Sequence, residues 1–425
     1  ATWTLGNTTA DIFQNNLTVN ASGVNAQINL AHTGAGNQFN GNIVLNSYNG
    51  AAGIRIGNNN GTSTLAATKT ISVGGSGFSA GSLRIRNLTQ VGATAQTLNI
   101  TGASASFYLE SGNTFNGAVT FTAPQFYVNG TTFQGTTRLE QTGAFSINCS
   151  GGNTYGGATT LVLSGTANWT HSNVSRDIYN STLTAQNTGS GILYLAQTGA
   201  ITQFNGNVTF LSSGSSQGIY IGQGTGTARI ASGISFSSTA LGFTTGSLRI
   251  RNTTQLGTAA HSIILGGATS SLYFQTGNTF TGTMTATAPQ LYLNGSTFAA
   301  GTYTQNGSTS INSSGANTFN GATTLVVSGS GSWTHSNTSA DIYNSTLSAR
   351  NTGSGVLYLA QTGALTQFNG NVTFLSSGSS QGIRIGRGTG TARIASGVSF
   401  TSTAVGFTSG SLYIRNVTQL GTTAH

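Results

Sequence analysis

Apolar and polar residues alternate along short stretches of this chain, with the period of two that is typical of half-buried β-strands. Triads of the form apolar-x-apolar recur, as in GIYIG, SLRIR, SLYF, QLYL and VLYL between residues 218 and 359. Strong helix formers are scarce, with one Lys, two Glu and one Met in 425 residues. The pattern therefore predicts many short strands and no substantial helix.

A second phrase, typified by FNG followed by a strand-like run, lies between successive triads. Its apolar residue is assigned in one stretch to Phe204, Ile230, Leu256, Phe280, Phe298, Phe319, Ile342 and Phe368. These positions are 18 to 26 residues apart, with a mean of about 23. Each period of about 23 residues thus contains at least two strands, which is the signature of a solenoid.

A longer repeat contains the shorter one. Trp3, Trp169 and Trp333 open the similar segments WTLGNTTADIF, WTHSNVSRDIY and WTHSNTSADIY. We therefore divide the chain into copy 1 (residues 1–168), copy 2 (169–332) and a partial copy 3 (333–425), and expect one continuous solenoid. The pattern begins and ends in mid-repeat, which indicates a mature fragment of a longer chain.

The predicted fold is all-β, an elongated parallel β-helix of about 18 turns. Turns stacked at about 4.8 Å would make seven turns rise about 34 Å and the whole chain about 85–90 Å. Pro124 and Pro289 are expected at corners. Asn-Gly pairs that begin at Asn40, Asn116, Asn205, Asn320 and Asn369 are expected at corners with positive φ, with asparagine side chains forming ladders.

The middle residue of each triad is predicted to point outward, because neighbouring side chains on a strand face opposite sides. These residues and a flanking basic set form a candidate contact stripe: Arg55, Arg84, Arg86, Tyr108, Tyr127, Tyr220, Arg249, Arg251, Tyr273, Tyr292, Tyr358, Arg384, Tyr413 and Arg415. Arg and Tyr exchange at equivalent places, and both have flat side chains that stack. The stripe has three interpretations: a stiffening ladder, a contact surface for a neighbouring solenoid, or a receptor-binding face that contacts glycans.

Composition and charge narrow the possible partners. Charged residues are only 4% of the chain, and the net charge of +9 comes from thinly spread arginines, so nucleic acid is not an expected partner. No apolar run is long enough to span a membrane, so direct membrane insertion is not expected. The single cysteine, Cys149, is replaced by Ser313 one repeat later, which makes the thiol dispensable to the architecture.

Catalysis is not expected, and neither is a cofactor or a metal. The acids Asp11, Glu110, Glu140, Asp177 and Asp341 are scattered, whereas glycan cleavage requires paired carboxylates. Asp11, Asp177 and Asp341 share one repeat position and are interpreted as corner carboxylates that accept backbone hydrogen bonds. The histidines are isolated in sequence, without the spacing of a zinc site.

The phrases GGNTYGGATTLVLSG and GANTFNGATTLVVSG resemble the β-strand repeat of autotransporter passenger domains. The alternation of FNGNVTFLSSGSSQGI with VLYLAQTGA is similar to giant repetitive surface proteins of gliding Bacteroidota. This resemblance covers nearly the whole chain and implies export, by the type IX route, and display at the bacterial cell surface as a fibre or adhesin. It implies no catalytic residues.

The expected function is therefore structural or adhesive: a stiff extracellular solenoid making many weak contacts with neighbouring solenoids or surface glycans. The alternative is a carbohydrate-binding or carbohydrate-active β-helix whose catalytic part lies outside this segment. An ice-binding solenoid is disfavoured, because the variable period of 18 to 26 residues would disrupt a regular Thr-x-Thr surface.

Overall fold

The computed structural model describes residues 1–199, 201–362 and 365–425. The chain divides into two units. Unit 1 comprises Ala1–Val208, Gly214–Gln217 and Gln223–Thr227, and unit 2 comprises Thr209–Ser213, Gly218–Gly222 and Ala228–His425. Each unit is a parallel β-solenoid, and the chain makes about 17 turns of about 23 residues. The predicted fold class is confirmed.

Each turn contributes strands to three faces, one more than the minimum of two expected from the sequence. The first face carries the triads: Thr2–Thr4, Gln27–Leu30, Gly53–Ile56, Ser82–Ile85, Ser106–Leu109, Gln125–Val128, Ile147–Asn148, Trp169–Thr170, Ile192–Leu195, Gly218–Ile221, Ser247–Ile250, Ser271–Phe274, Gln290–Leu293, Ile311–Asn312, Trp333–Thr334, Leu357–Leu359, Gly382–Ile385 and Ser411–Ile414.

The second face carries the FNG phrases. Its strands are Ile12–Phe13, Asn37–Phe39, Ser63–Leu65, Leu88–Gln90, Thr114–Phe115, Thr132–Phe133, Thr154–Tyr155, Ile178–Tyr179, Thr202–Phe204, Ala228–Ile230, Thr253–Gln255, Thr318–Phe319, Ile342–Tyr343, Thr366–Phe368, Ala392–Ile394 and Val417–Gln419. Two longer strands, Thr279–Ala288 and Thr297–Gln305, continue from the second face into the third without a break.

The third face carries the runs that follow each FNG corner. Its other strands are Leu17–Ser22, Ile43–Tyr48, Ile71–Phe78, Gln96–Asn99, Val119–Ala123, Thr137–Gln141, Thr159–Leu163, Leu183–Asn187, Val208–Ser212, Phe236–Ser238, His261–Ile264, Thr323–Val327, Leu347–Asn351, Val372–Ser376 and Phe400–Phe407. A single short 3₁₀ turn, Asn58–Asn60, is the only helix in the described residues.

Every pairing described within the two units is parallel and joins one turn to the next. In unit 1, for example, Ile54 pairs with Leu83 and Leu83 with Phe107, so apolar residues stack in register and point inward. A short strand cannot bury its apolar face alone, and stacking supplies the missing partner. Antiparallel hairpins, which would have excluded a solenoid, do not occur among these pairings.

Aromatic rings form columns in the core of each unit beneath the second face. In unit 1, Phe133, Tyr155, Tyr179 and Phe204 stack at centroid distances of 5.2, 4.8 and 5.5 Å. In unit 2, Phe280, Phe298, Phe319, Tyr343 and Phe368 stack at 5.9, 5.5, 4.9 and 5.4 Å. Burial of these rings supplies much of the apolar area that stabilises each turn.

Two of the apolar residues assigned to the second phrase, Leu256 and Ile342, do not point into the core, and a neighbouring residue does so instead. Leu256 is 50% exposed, and the neighbouring Gln255 lies in the buried row instead. Ile342 is partly exposed, and Tyr343 pairs with Phe319 in the core. The error arose because a two- or three-residue strand gives too little alternation to fix which neighbour points inward.

The corners obey a different rule from the one expected. Gly41, Gly117 and their counterparts after Asn205, Asn320 and Asn369 do not have positive φ, and neither do the preceding asparagines. Instead, a Cβ at Gly117 would lie 2.2 Å from the carbonyl oxygen of Thr94 in the turn below. Glycine is required here because backbones approach closely. The expected asparagine ladder does form, and Asn205 Nδ2 donates to Asn180 Oδ1 at 2.9 Å.

Pro124 lies at the corner between the third-face strand Val119–Ala123 and the first-face strand Gln125–Val128, as expected. At the next turn the first-face ladder is interrupted. There the N–H of Val128 donates to Cys149 Sγ at 3.4 Å rather than to a backbone carbonyl. The equivalent N–H of Leu293 donates to Ser313 Oγ at 3.1 Å. A side-chain acceptor thus replaces the missing ladder bond in both copies.

Candidate functional site

The first face brings together the residues predicted to form the contact stripe. We call the middle residues of the triads the arginine–tyrosine row: Arg55, Arg84, Tyr108, Tyr127, Tyr220, Arg249, Tyr273, Tyr292, Tyr358, Arg384 and Tyr413. Arg55, Arg84, Tyr108 and Tyr127 are register partners in unit 1. Strand pairing therefore places these side chains one above another, with their buried neighbours pointing the opposite way.

In unit 1 the row is a continuous stack of flat groups. The Arg84 guanidinium carbon lies 4.3 Å from the ring centroid of Tyr108, and the Tyr108 and Tyr127 rings are parallel with centroids 4.3 Å apart. Both faces of the Tyr108 ring are thereby covered. Arg55 lies beneath Arg84, and burial together with the neighbouring Arg84 charge lowers the pKa of Arg55.

In unit 2 the arrangement recurs with Tyr220 in the place of Arg55. Arg249 lies between two rings, with its guanidinium carbon 4.6 Å from the Tyr220 centroid and 4.7 Å from that of Tyr273. Tyr273 stacks in turn on Tyr292 at 4.4 Å. Burial raises the pKa of Tyr220 and that of Tyr292, so both phenols stay protonated at neutral pH.

The same pattern is present in copy 3. The Arg384 guanidinium carbon lies 5.6 Å from the Tyr358 centroid and 5.2 Å from that of Tyr413. Tyr413 is 56% exposed, whereas its register partner Arg384 is half-buried. Arg387, which is not among the predicted stripe residues, also contacts Tyr358, with its guanidinium carbon 5.0 Å from the ring centroid.

Arg86, Arg251 and Arg415 form a second, flanking arginine row. Each follows a first-face strand directly, two residues after the corresponding member of the arginine–tyrosine row. The Nε atoms of Arg86 and Arg251 are buried without a hydrogen-bond partner among the described residues. Beside Arg251, a surface groove of about 220 Å³ is lined by Arg251, Gln275, Thr276 and Asn294.

One acid belongs to this surface and was not predicted to do so. Glu110 Oε1 lies 3.0 Å from Arg84 Nη1 in an ion pair that spans adjacent turns of unit 1. Copy 2 has Gln275 at the equivalent position, and Arg249 has no ion pair among the described residues. The sequence did contain a signal for this ion pair. Glu110 is an acid that alternates outward with Tyr108, one turn after the triad arginine Arg84.

The stack is interrupted twice. Asn148 and Thr170 occupy the row between Tyr127 and Tyr194, and Thr170 is buried. Asn312 and Thr334 occupy the equivalent places in unit 2. Tyr194, which pairs with Thr170, is a further member of the row that the stripe prediction omitted.

A buried polar cluster lies behind the first face near Trp169, and a similar one lies near Trp333. His171 Nδ1 lies 2.8 Å from Asp177 Oδ2, and neither side chain is exposed. Asp177 also accepts the hydroxyl of Ser172 at 2.6 Å and the backbone N–H of Asn153 at 2.8 Å. Asp177 is thus a corner carboxylate that accepts a backbone hydrogen bond, as interpreted, but the histidine considered isolated is its partner.

The described residues contain neither a group of metal ligands nor a helix that could cross a membrane. No three His, Cys, Asp or Glu side chains within residues 1–199, 201–362 and 365–425 are grouped so as to hold a metal ion. In that same part of the chain, no helix has the length and apolarity needed to cross a membrane. In comparisons with protein-family models, curated proteins and solved structures, nothing matched this chain.

Proposed function

We propose that this chain is a structural and adhesive segment of an extracellular bacterial surface fibre. The single observation that carries the proposal is the recurrence of the arginine–tyrosine row at equivalent positions, as in Arg84 and Arg249. A repeated outward surface supports many identical weak contacts, whose combined strength exceeds that of any one. The parallel ladders support stiffness along each unit.

The finer parts of the proposal rest on the sequence resemblance. Display at the cell surface and export by the type IX route would follow if the chain belongs with the repetitive surface proteins of gliding Bacteroidota. Near-absence of cysteine agrees with a fold that is stabilised by backbone ladders rather than by disulfides.

The burial and ion pairing of four acidic side chains favour a binding role over a catalytic one. Asp177 and Asp341 are fully buried, and Glu110 and Glu140 are each ion-paired, to Arg84 and Arg138 respectively. Glycan hydrolysis needs an acid and a second carboxylate facing one substrate. Carbohydrate binding by the same surface remains the second candidate, and the groove beside Arg251 favours it.

Adhesion of coated beads tests the proposal. Beads carrying the 425-residue chain should adhere to surfaces coated with the chain or with bacterial exopolysaccharide. Replacing Arg84, Arg249 and Arg384 by Ala should abolish adhesion, because the contacts act together. Replacing Arg393 by Ala, on the second face, is the matched control and should leave adhesion unchanged.

Equal adhesion by the triple variant and the control would overturn the proposed contact surface. Negative-stain electron microscopy of the same material tests the structural half of the proposal. About 17 turns should appear as rods of about 80 Å per chain, from a strand spacing of about 4.8 Å. Compact, unelongated particles would contradict a fibre role.

A further inference from the structure

We propose that Arg249, Arg251 and Gln275 form a binding site for an acidic polysaccharide, one that carries carboxylate or sulfate groups on a hydroxyl-rich chain. This inference deepens the proposed function and rests on it, since both treat the first face as a contact surface. The site lies wholly within unit 2.

The positive charge at this site is not neutralised by the protein. Arg249 and Arg251 make no side-chain hydrogen bond or ion pair with the residues that the structure describes. Gln275 is the register partner of Arg251 in the next turn, because the backbone N–H of Gln275 donates to Ile250 O at 2.9 Å. Guanidinium groups bind carboxylate and sulfate-like anions with paired N–H donors, so this site suits such a ligand.

The stacking in the row determines which anion fits. Both faces of Tyr273 are covered, by Arg249 at 4.7 Å and by Tyr292 at 4.4 Å. Single-stranded nucleic acids bind largely by stacking bases on open aromatic faces, and no such face is open at Tyr273. At Arg249 and Tyr273 the flat faces are occupied by stacking, which favours a ligand recognised through hydroxyl groups and acids.

The groove beside Arg251 sets the size of the bound unit. Its volume of about 220 Å³ lies below the roughly 300–1,000 Å³ of sites that enclose a whole small molecule. The groove therefore fits one sugar residue of a longer chain. The amide groups of Gln275 and Asn294 line it and can hydrogen-bond to sugar hydroxyls.

Copy 1 provides a natural comparison. Glu110 occupies the place of Gln275 and forms an ion pair with Arg84, which occupies the place of Arg249. Copy 1 also has Arg55 in the place of Tyr220. Three arginines and one glutamate on the first face of copy 1 therefore carry a net charge of +2, and the two arginines of copy 2 carry the same net charge. The two copies therefore have equal net charge. They differ in whether a carboxylate already forms an ion pair with the arginine, as Glu110 does with Arg84.

The experiment measures binding of alginate, a polyuronate, to the full chain at low ionic strength by calorimetry. Arg387→Ala and Arg415→Ala are present in every sample, because these exposed residues form a third arginine cluster with Arg384. In this background Gln275→Glu should weaken binding at least about tenfold, by supplying the ion pair seen in copy 1. Thr302→Glu, on the third face, adds the same charge and should weaken binding less than about twofold.

Glu110→Gln in the same background should add a second alginate site of similar affinity, by freeing Arg84. Chondroitin sulfate should bind if a sulfate ester also serves as the anion, and dextran, which is neutral, should not bind. Equal losses for Gln275→Glu and Thr302→Glu, or equal binding of oligo-deoxythymidine, would overturn the site. If alginate fails to bind while coated beads still adhere to chain-coated surfaces, this inference fails and the proposed function stands.

Discussion

His261 Nδ1 accepts the backbone N–H of Phe236 at 2.9 Å, from the adjacent turn of unit 2. The imidazole therefore needs a free lone pair on Nδ1, which only the neutral ring provides. Burial lowers the pKa of His261 from 6.5 to about 4. Protonation would both place a charge in the core and remove the acceptor for Phe236.

This arrangement predicts a loss of stability in mild acid. Between pH 6.5 and 4 the unfolded chain binds a proton at His261 and the folded chain does not. The free energy of unfolding therefore decreases as the pH decreases. The contribution of His261 is fully present above pH 6.5 and is lost as the pH falls to about 4, a change of about 3 kcal/mol. Urea titrations at pH 7, 5.5 and 4 measure it.

The control comes from copy 1, where Gln96 stands in the place of His261. Gln96 Oε1 accepts the N–H of Ile71 at 2.8 Å and does not titrate. His261→Gln should therefore keep the fold at pH 7 and remove about 3 kcal/mol of the acid dependence. An unchanged pH profile in this variant would show that His261 does not titrate as described.

A buried tyrosine predicts the opposite behaviour in alkali. Burial raises the pKa of Tyr303 well above 10, and its hydroxyl has no hydrogen-bond partner among the described residues. The unfolded chain ionises near pH 10 while the folded chain stays neutral, so stability is lost as the pH rises beyond 10. One such group costs about 1.4 kcal/mol at pH 11, and Tyr303→Phe should abolish that part of the loss.

At pH 7 the same Tyr303→Phe change should be neutral or slightly stabilising, because it removes an unpaired buried hydroxyl. Tyr413→Phe makes the same chemical change at a residue that is 56% exposed and serves as the control. Thermal melts of both variants at pH 7 and 11 provide the comparison. Equal alkaline losses in the two variants would argue against the role of Tyr303.

The fold was predictable because two periods coincide in the sequence. The apolar residues of each triad, such as Leu248 and Ile250, and the recurrence of triads every turn both require stacked parallel strands. The outward direction of Arg249 and Tyr273 followed from strand alternation alone. Their mutual stacking then followed from the spacing between turns.

Contacts that depend on exact register were not predictable. The pairing of His171 with Asp177 needs a turn in which Ser172 has a φ of 58°, and no pattern in the sequence specifies that turn. The Asn-Gly corners misled for a similar reason, because glycine is required there by backbone from the turn below, which sequence alone does not position.

Cys149 gives a prediction about how a missing ladder bond is replaced. Cys149→Ser should change the free energy of unfolding by less than about 1 kcal/mol, because Ser313 performs the same role with an N–H to Oγ distance of 3.1 Å. Cys149→Val removes the acceptor and leaves the N–H of Val128 buried and unpaired, at a cost of about 1–3 kcal/mol. Chemical denaturation of the three proteins measures the difference.

The thiol itself should be inert in the folded protein. Burial raises the pKa of Cys149 to about 12, so almost no thiolate exists at neutral pH. Labelling with a maleimide should occur only after unfolding. Rapid labelling of the native chain, or equal stability of the Val and Ser variants, would contradict the described packing around Cys149.

The two His–Asp pairs differ, although their local sequences are nearly identical. His335 Nδ1 lies 3.5 Å from Asp341 Oδ2, against 2.8 Å for His171 and Asp177. Tyr155 OH lies 3.5 Å from His171 Nε2, whereas the equivalent residue for the His335 pair is Phe319, which has no hydroxyl. The second ring nitrogen therefore has a polar neighbour in the first pair, and His335 Nε2 has none in the part of the chain that the structure describes.

A double-mutant cycle should resolve this difference. Replacing His171 by Leu and Asp177 by Asn, singly and together, should give a coupling energy of about 1.5–3 kcal/mol, the range for a hydrogen bond to a charged group. The same cycle on His335 and Asp341 should give less than half as much, because the longer pair lacks a hydrogen bond. Phe319→Tyr should raise the second coupling toward the first by supplying the missing hydroxyl. Equal couplings in the two wild-type pairs would show that the contact to Tyr155 does not hold the histidine in place.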